Sequence, residues 1–330
     1  MKHCFLRSFV ALALLFPVIA FSADPVSEMA DFSVFGKVDL AELTKGGVKT
    51  AAGSPMSTER YLSVQSCFII PQPPAKVIAA MRQFNPTAHS ELNVLLHSDL
   101  SGSPSAADFS KLNHPANNRA LQTLTGATEK MSPNLQISRA EAQSFSAGKS
   151  VFAFWSDLLA KRAQTFLAGG AAAEAAYDHT PNPVQSGKEF AGLVRQQPKV
   201  ARQFGSLLES TGLTGGKGSL KPELYWELIE VEDAGVLTLG ANYVRSTGGA
   251  GYQVADGLYY ASGGFNVSLT LHQLWPIDLA GRPSTLVWRG DFTSANSLGE
   301  LHGIERLASE GAMRKDISKA ASIFQHEASR

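Results

Sequence analysis

From Leu224 onward the chain alternates with a period of two, and this stretch limits the possible folds more than any other. Leu224, Trp226 and Leu228 alternate with Tyr225 and Glu227, and the turn Asp233-Ala234-Gly235 leads into a second such run over 236–245. The glycine turns Thr247-Gly248-Gly249-Ala250-Gly251, Ser262-Gly263-Gly264 and Gly281-Arg282-Pro283 separate three more runs, at 252–260, 265–275 and 285–293. Half-buried strands read this way, and glycine-rich breaks between them favour hairpins. The pattern predicts a five-strand antiparallel meander. The period then changes to that of a helix over 297–327, with Leu301, Ile304, Ala308, Met313, Ile317, Ala320 and Phe324 on one face. Gly299, Gly303 and Gly311 leave room for close packing along it. A run of strands closed by one amphipathic helix is an α+β layout.

Upstream, residues 24–57 have little periodicity and read as a partly ordered lead-in. Residues 61–70 are rich in β-branched and aromatic side chains and stop at Pro71, Pro73 and Pro74, so they read as a strand. Val77, Ile78, Met81 and Phe84 follow at helical spacing, with Pro74 near the helix start and Asn85-Pro86 beyond its end. Residues 101–118 read as a surface loop. A helical block then covers about 139–212. Phe152, Trp155, Leu159 and Phe166 share one face of its first helix, and Phe190, Leu193, Val200, Phe204, Leu207 and Leu208 belong to a helix pair broken near Pro198. The glycine-rich stretch 212–218 reads as a linker.

The N-terminus predicts export. Lys2 and Arg7 precede an apolar run over 9–21, and Ser22 and Ala23 supply a small-residue exit, so residues 1–23 read as a signal peptide. The run is short for a bilayer span, and no membrane anchor is expected after cleavage. Cys4 falls within this segment and Cys67 is then the only thiol, which excludes an intramolecular disulfide. Cys67 lies in the apolar run Ser66-Cys67-Phe68-Ile69-Ile70 and is expected to be inert core packing. Loss of Lys2 and Arg7 leaves 27 basic against 29 acidic residues. There is no basic excess for nucleic-acid binding. With 44% hydrophobic and 18% charged residues, the chain can bury a sizeable core.

Phe68-Ile69-Ile70-Pro71-Gln72-Pro73-Pro74-Ala75-Lys76-Val77, with Gly303-Ile304-Glu305-Arg306 and Met313-Arg314-Lys315 in the last helix, resembles the START-like (helix-grip, SRPBCC) superfamily. The resemblance covers the first strand and helix and residues 220–328. It implies a single domain over 58–328, with the helical block of about 139–212 as an insertion. It also implies a curved antiparallel sheet packed on the C-terminal helix, with a hydrophobic cavity between them for an apolar or amphipathic, lipid-like small molecule.

Motifs of known chemistry are sparse. Ser146-Ala147-Gly148-Lys149 has S-x-x-K spacing, but the companion S-D-N and K-T-G motifs are missing. Gly212-Leu213-Thr214-Gly215-Gly216-Lys217-Gly218 is one residue short of a phosphate loop and lacks the following Ser or Thr. His89, Glu91, His97 and Asp99 form the only local metal-ligand cluster, eight residues separate the histidines, and a solvated strand face is expected. Asp178-His179 reads as a surface turn. No catalytic residue, metal or cofactor is assigned. Trp226, Tyr243, Tyr260, His272 and Trp288 combine apolar surface with polar tips and are the candidate ligand-binding set; Tyr259, Trp275, Arg245 and Arg289 lie in the same strands.

Three readings follow. The first is an exported, periplasmic or secreted, binder of an apolar small molecule. The second is an enzyme using the same cavity, with His272 and Asp256 or Asp291 as acid and base. The third is an interaction protein with a filled core, whose helical block docks a partner through Phe152, Trp155 and Phe204. In 285–293, a wall made of Leu286, Trp288, Gly290 and Phe292 facing the C-terminal helix would leave Arg289 pointing to solvent, with Arg289-Gly290-Asp291 as a solvated edge. N-terminal sequencing of exported material is expected to begin at Ala23 or Asp24; a start at Met1 would contradict the signal peptide.

Overall fold

The computed structural model describes residues 24–113, 119–146 and 148–330. The signal-peptide expectation for residues 1–23 lies outside them. The fold is α+β. One open, eight-stranded antiparallel sheet has the order β1-β2-β8-β7-β6-β5-β4-β3. Its strands are β1 (Lys49–Ala52), β2 (Tyr61–Ile70), β3 (Val94–Asp99), β4 (Glu223–Val231), β5 (Ala234–Gly248), β6 (Gly251–Ala261), β7 (Val267–Leu279) and β8 (Arg282–Ser294). The last five form the expected meander. Three of its connections are tight turns with positive φ at successive residues: Glu232 and Asp233, Gly249 and Ala250, and Ala280 and Gly281. Such turns match the right-handed twist of paired strands.

The helices are α1 (Pro25–Phe32), α2 (Leu40–Leu43), α3 (Pro74–Gln83), α4 (Arg119–Glu129), α5 (Arg139–Gln143), α6 (Val151–Gly169), α7 (Ser186–Arg195), α8 (Pro198–Ser210), α9 (Asn296–Glu300) and α10 (Gly303–Ala328). They cover the two faces of the sheet unequally. One face carries α1 and the helical block, which begins at α4, earlier than expected, and whose long first helix is interrupted between α5 and α6. The other carries α3 and α10 over a smaller core of Phe68, Ile70, Val254, Leu274 and Val287. The α10 helix packs mainly on β1, β2 and α3, at one side of the sheet. Its buried residues are Ala321, Gln325 and Ala328. Ile304 was expected on its packed face but is 85% exposed; near it the helix is tied down by Arg306, which donates to the Tyr61 and Leu298 carbonyls.

The lead-in is more ordered than its weak periodicity suggested. Met29 and Phe32 of α1 are buried in the main core. Phe32 stacks edge-on against Trp288 at 4.8 Å, and Phe204 of α8 lies 5.5 Å from the same indole. Gln65 in β2 accepts from Val34 N at 2.9 Å and from Trp288 Nε1 at 3.1 Å, fixing the chain after α1 to the sheet. A second polar tie runs through Gln253, whose Nε2 donates to Gln273 Oε1 at 2.9 Å and to the Gln203 carbonyl of α8 at 3.0 Å. Buried amides need such partners, and here their partners bind layers together.

The stretch 212–218 is not a free linker at its start, since Gly212 and Leu213 are buried. Ala171 N donates to Gly212 O at 2.7 Å. A Cβ on Gly170, whose φ is +68°, would lie 2.6–2.8 Å from the carbonyls of Gly212, Gly215 and Gly216. Only glycine permits this crossing. Nearby, Arg162 of α6 is 2% exposed, pairs with Glu141 at 2.7 Å and Glu174 at 3.1 Å, and lies 4.4 Å from the Tyr260 ring.

Trp155 and Phe204, expected to dock a partner, are fully buried, and Phe152 is half-buried and packs on the main core. The reason is geometric. The block turns its aromatic stripe onto the sheet, whose apolar face needs cover. Trp288→Ala is expected to cost about 3–5 kcal/mol in chemical denaturation, the usual range for a packed buried aromatic. A wild-type unfolding midpoint would contradict this packing.

Candidate functional site

Strand parity determines what meets on each face. In β8, Leu286, Trp288 and Phe292 join the core beneath the helical block, while Val287 joins the core beneath α10. The expectation that Trp288 faces the C-terminal helix is therefore corrected: both sets of β8 contain apolar residues, and the helical block claims the bulkier one. Arg289 and Asp291 lie on the Val287 face of this inner strand rather than at a solvated edge. Arg289 Nε donates to Asp291 Oδ2 at 2.8 Å and Nη2 to Oδ1 at 2.6 Å. Thr270 Oγ1 adds a third donor to Asp291 at 3.1 Å.

This face holds a cavity of about 720 Å³. Ile78, Met81 and Phe84 from α3 and the residue after it, with Val244 and Val254 of the sheet, give it apolar walls, and Leu167 of α6 and Leu224 of the helical-block core also border it. Tyr225, Glu227, Asn242, Asp256 and Arg289 form a polar floor, and His97 and Asp99 of β3 border one side.

Asp256 is the centre of that floor. Tyr225 Oη donates to its Oδ1 at 2.6 Å, and Asn242 Nδ2 to its Oδ2 at 3.1 Å. Tyr225 reaches it by lying across Gly240, opposite it on β5; a Cβ there would meet the ring at 2.1 Å. Gly240 is thus required by the approach of a side chain. Asp256 forms no ion pair among the described residues. Burial raises its pKa from the ordinary value to about 6, against the opposing effect of the Tyr225 and Asn242 hydrogen bonds.

His272 lies beside Arg289 in the register of β7 and β8. It makes no hydrogen bond among the described residues, and its Nδ1 is buried without a partner. Burial, reinforced by the Arg289 charge, pushes its pKa down to about 3, so the imidazole is neutral across the physiological range. An acid–base pair of His272 with Asp256 or Asp291 is not formed. Ser66 Oγ and Thr50 Oγ1 continue the same row across β2 and β1, also buried and without partners.

The five residues singled out from the sequence do not converge. Trp226, Tyr243, Tyr260 and Trp288 are buried on the helical-block face, where they pack instead of lining a cavity. Trp226 Nε1 donates to the Asp108 carbonyl at 3.1 Å, Tyr243 Oη accepts from Gly212 N at 3.2 Å, and Tyr260 stacks on Arg162. Only His272 is on the cavity side, beside the floor. Their shared aromatic character carried the grouping, yet parity separates them: Trp226, Tyr243, Tyr260 and Trp288 share one face and His272 takes the other. Asp256, Asn242 and Tyr225 were the residues to find, and a run of polar residues on one parity of β4 to β8 is the signal that marks them.

The remaining motifs do not assemble. His97 Nδ1 pairs with Glu227 at 3.0 Å, and His89 Nε2 lies 2.9 Å from Glu327 of α10, so the two histidines go to different partners. Among the described residues no group of three or more His, Cys, Asp or Glu could hold a metal ion. Lys149 binds Asp157 at 3.1 Å before α6 begins, so Ser146 and Lys149 do not share a helical turn. Cys67 is fully buried, and burial pushes its thiol up to about 12. No helix among the described residues is long and apolar enough to cross a membrane. No protein-family model, curated protein or solved structure matches the chain.

The raised pKa of Asp256 makes a linkage prediction. The folded state binds its proton more tightly than the unfolded state, so this contribution is fully present below about pH 4 and is lost as pH rises through about 6. Asp256→Asn removes the titration. Relative to the variant, wild type is expected to lose on the order of 2–3 kcal/mol between about pH 4 and pH 7 in urea unfolding. A pH-independent difference would contradict the assignment.

Proposed function

We propose that the protein is an exported binder of an amphipathic small molecule. The ligand's apolar body lies against Ile78, Met81, Phe84 and Val244, and its polar end meets Asp256, Asn242 and Arg289. The observation that carries this reading is the contrast between the two faces of one sheet. The helical-block face is filled with interlocked aromatics. The α3 face encloses about 720 Å³ with apolar walls and a polar floor. Small-molecule sites typically occupy about 300–1,000 Å³ and combine those features.

The START-like resemblance supports the same reading. Strands β2-β8-β7-β6-β5-β4-β3 form a continuous antiparallel series, a helix follows the first of them, and the long helix comes last. The resemblance implies a cavity between the sheet and the C-terminal helix; the cavity instead lies on that face of the sheet under α3, and no residue of α10 lines it. The helical block then acts as an added layer on the opposite face and leaves the cavity side open. Export rests on the N-terminal residues, and the Lys2, Arg7 and apolar-run pattern supports it.

Uptake of a neutral solvatochromic dye such as Nile red tests the proposal. Wild type is expected to bind it, and Val244→Trp, which places bulk in the cavity, is expected to weaken binding by about tenfold or more. Trp288→Phe, on the opposite face, is expected to bind as wild type does. Wild-type protein that takes up no dye, and that carries no extractable small molecule in native mass spectrometry, would overturn the reading.

A further inference from the structure

The charges around the cavity are unequal in a way that identifies the ligand's polar end. The groups facing Asp256 are Tyr225 and Glu227 from β4, Asn242 from β5, Thr270 and His272 from β7, and Arg289 and Asp291 from β8. Arg82 of α3 and His97 and Asp99 of β3 stand across the cavity. Arg289 is engaged by Asp291 in a two-pronged pair. Arg82 is engaged by Glu223 at 2.8 Å, and His97 by Glu227 at 3.0 Å. Lys221 is exposed at the rim. Asp256 therefore has two neutral donors and no ion pair among the described residues; Arg289, the cation that acts on it, is held by Asp291, and its carboxylate still faces the cavity.

A carboxylate withdrawn from water is stabilised by a cation at hydrogen-bond distance. An anionic ligand end would bring a further negative charge to a floor that holds Asp256 and Glu227, where the Arg289 charge is already engaged by Asp291.

Resting on the binding reading above, we propose that the cavity selects a cationic amphiphile, an alkylammonium or protonated amine, whose head pairs with Asp256 while its apolar body lies against α3. The bound head supplies the ion pair that the fold leaves out. Because a proton competes with it for the same carboxylate, affinity falls as Asp256 protonates below about pH 6.

The test is displacement of bound Nile red from the full exported chain by three amphiphiles of one chain length, each below its micelle concentration. These are dodecyltrimethylammonium, which keeps its charge at every pH, dodecanol and dodecanoate. At about pH 7.5 the cation is expected to displace dye at roughly tenfold lower concentration than either of the others. That preference is expected to shrink toward parity at about pH 5 and in Asp256→Asn, with dodecanol unchanged. The pH comparison in wild type decides the matter even if the variant fails to fold. Dodecanoate competing as well as the cation, or a preference that survives both changes, would overturn the cationic assignment and leave the cavity reading intact. Failure of the dye and all three amphiphiles to bind wild type would overturn the cavity reading itself.

Discussion

Strand alternation in β8 is the constraint from which the two functions of the sheet divide. Leu286, Trp288 and Phe292 project to one side, and Val287, Arg289 and Asp291 to the other. A single-residue slip would exchange these sets and bury an arginine–aspartate pair beneath α8. Pairing on both flanks prevents it, because β8 is bonded to β2 over ten residue pairs and to β7 over thirteen. Trp288 then becomes a shared anchor for Phe32 and Phe204, so the N-terminal helix and α8 of the helical block meet the sheet at one indole.

The opposite face holds the cavity. Unpartnered buried polar atoms cost about 1–3 kcal/mol each, and Thr50, Ser66 and His272 place three of them in one row. Asp256 adds a carboxylate that no ion pair among the described residues holds. The helical-block face also leaves buried polar atoms unpartnered, at Gln65 Nε2, Tyr259 Oη, Tyr260 Oη and Trp275 Nε1, so the two faces differ in the cavity and not in unsatisfied polar groups. Of the polar groups on this cavity face, Tyr225, Glu227, Asn242, Asp256 and Arg289 reach the cavity, and apolar walls with a few placed polar groups are the usual makeup of a binding site.

Much of the architecture was legible because its signals are local. The prolines after Ile70 end β2, and glycine-rich turns punctuate β4 to β8, so the strands lay within a residue or two of expectation for β2 and within a few residues for the meander. Face assignment was not local. Leu286 and Val287 are both apolar, so alternation could not say which set met the C-terminal helix; that depended on where an aromatic helical block found cover. Similarly, α1 is only eight residues long, and Phe32 becomes informative only when Trp288 is beside it. The site was partly legible: His272 and Asp256 were named, but the role of Tyr225 depends on the missing side chain of Gly240, its register partner on the next strand.

The central claim is that Asp256 is a carboxylate on the cavity floor that no ion pair holds and whose pKa burial raises. Carboxyl-carbon NMR of aspartate-labelled protein, with the Asp256 signal assigned by its loss in Asp256→Asn, measures this directly. The account predicts a titration midpoint near about 6 in the ligand-free protein. A midpoint at the ordinary aspartate value of about 4 would contradict it.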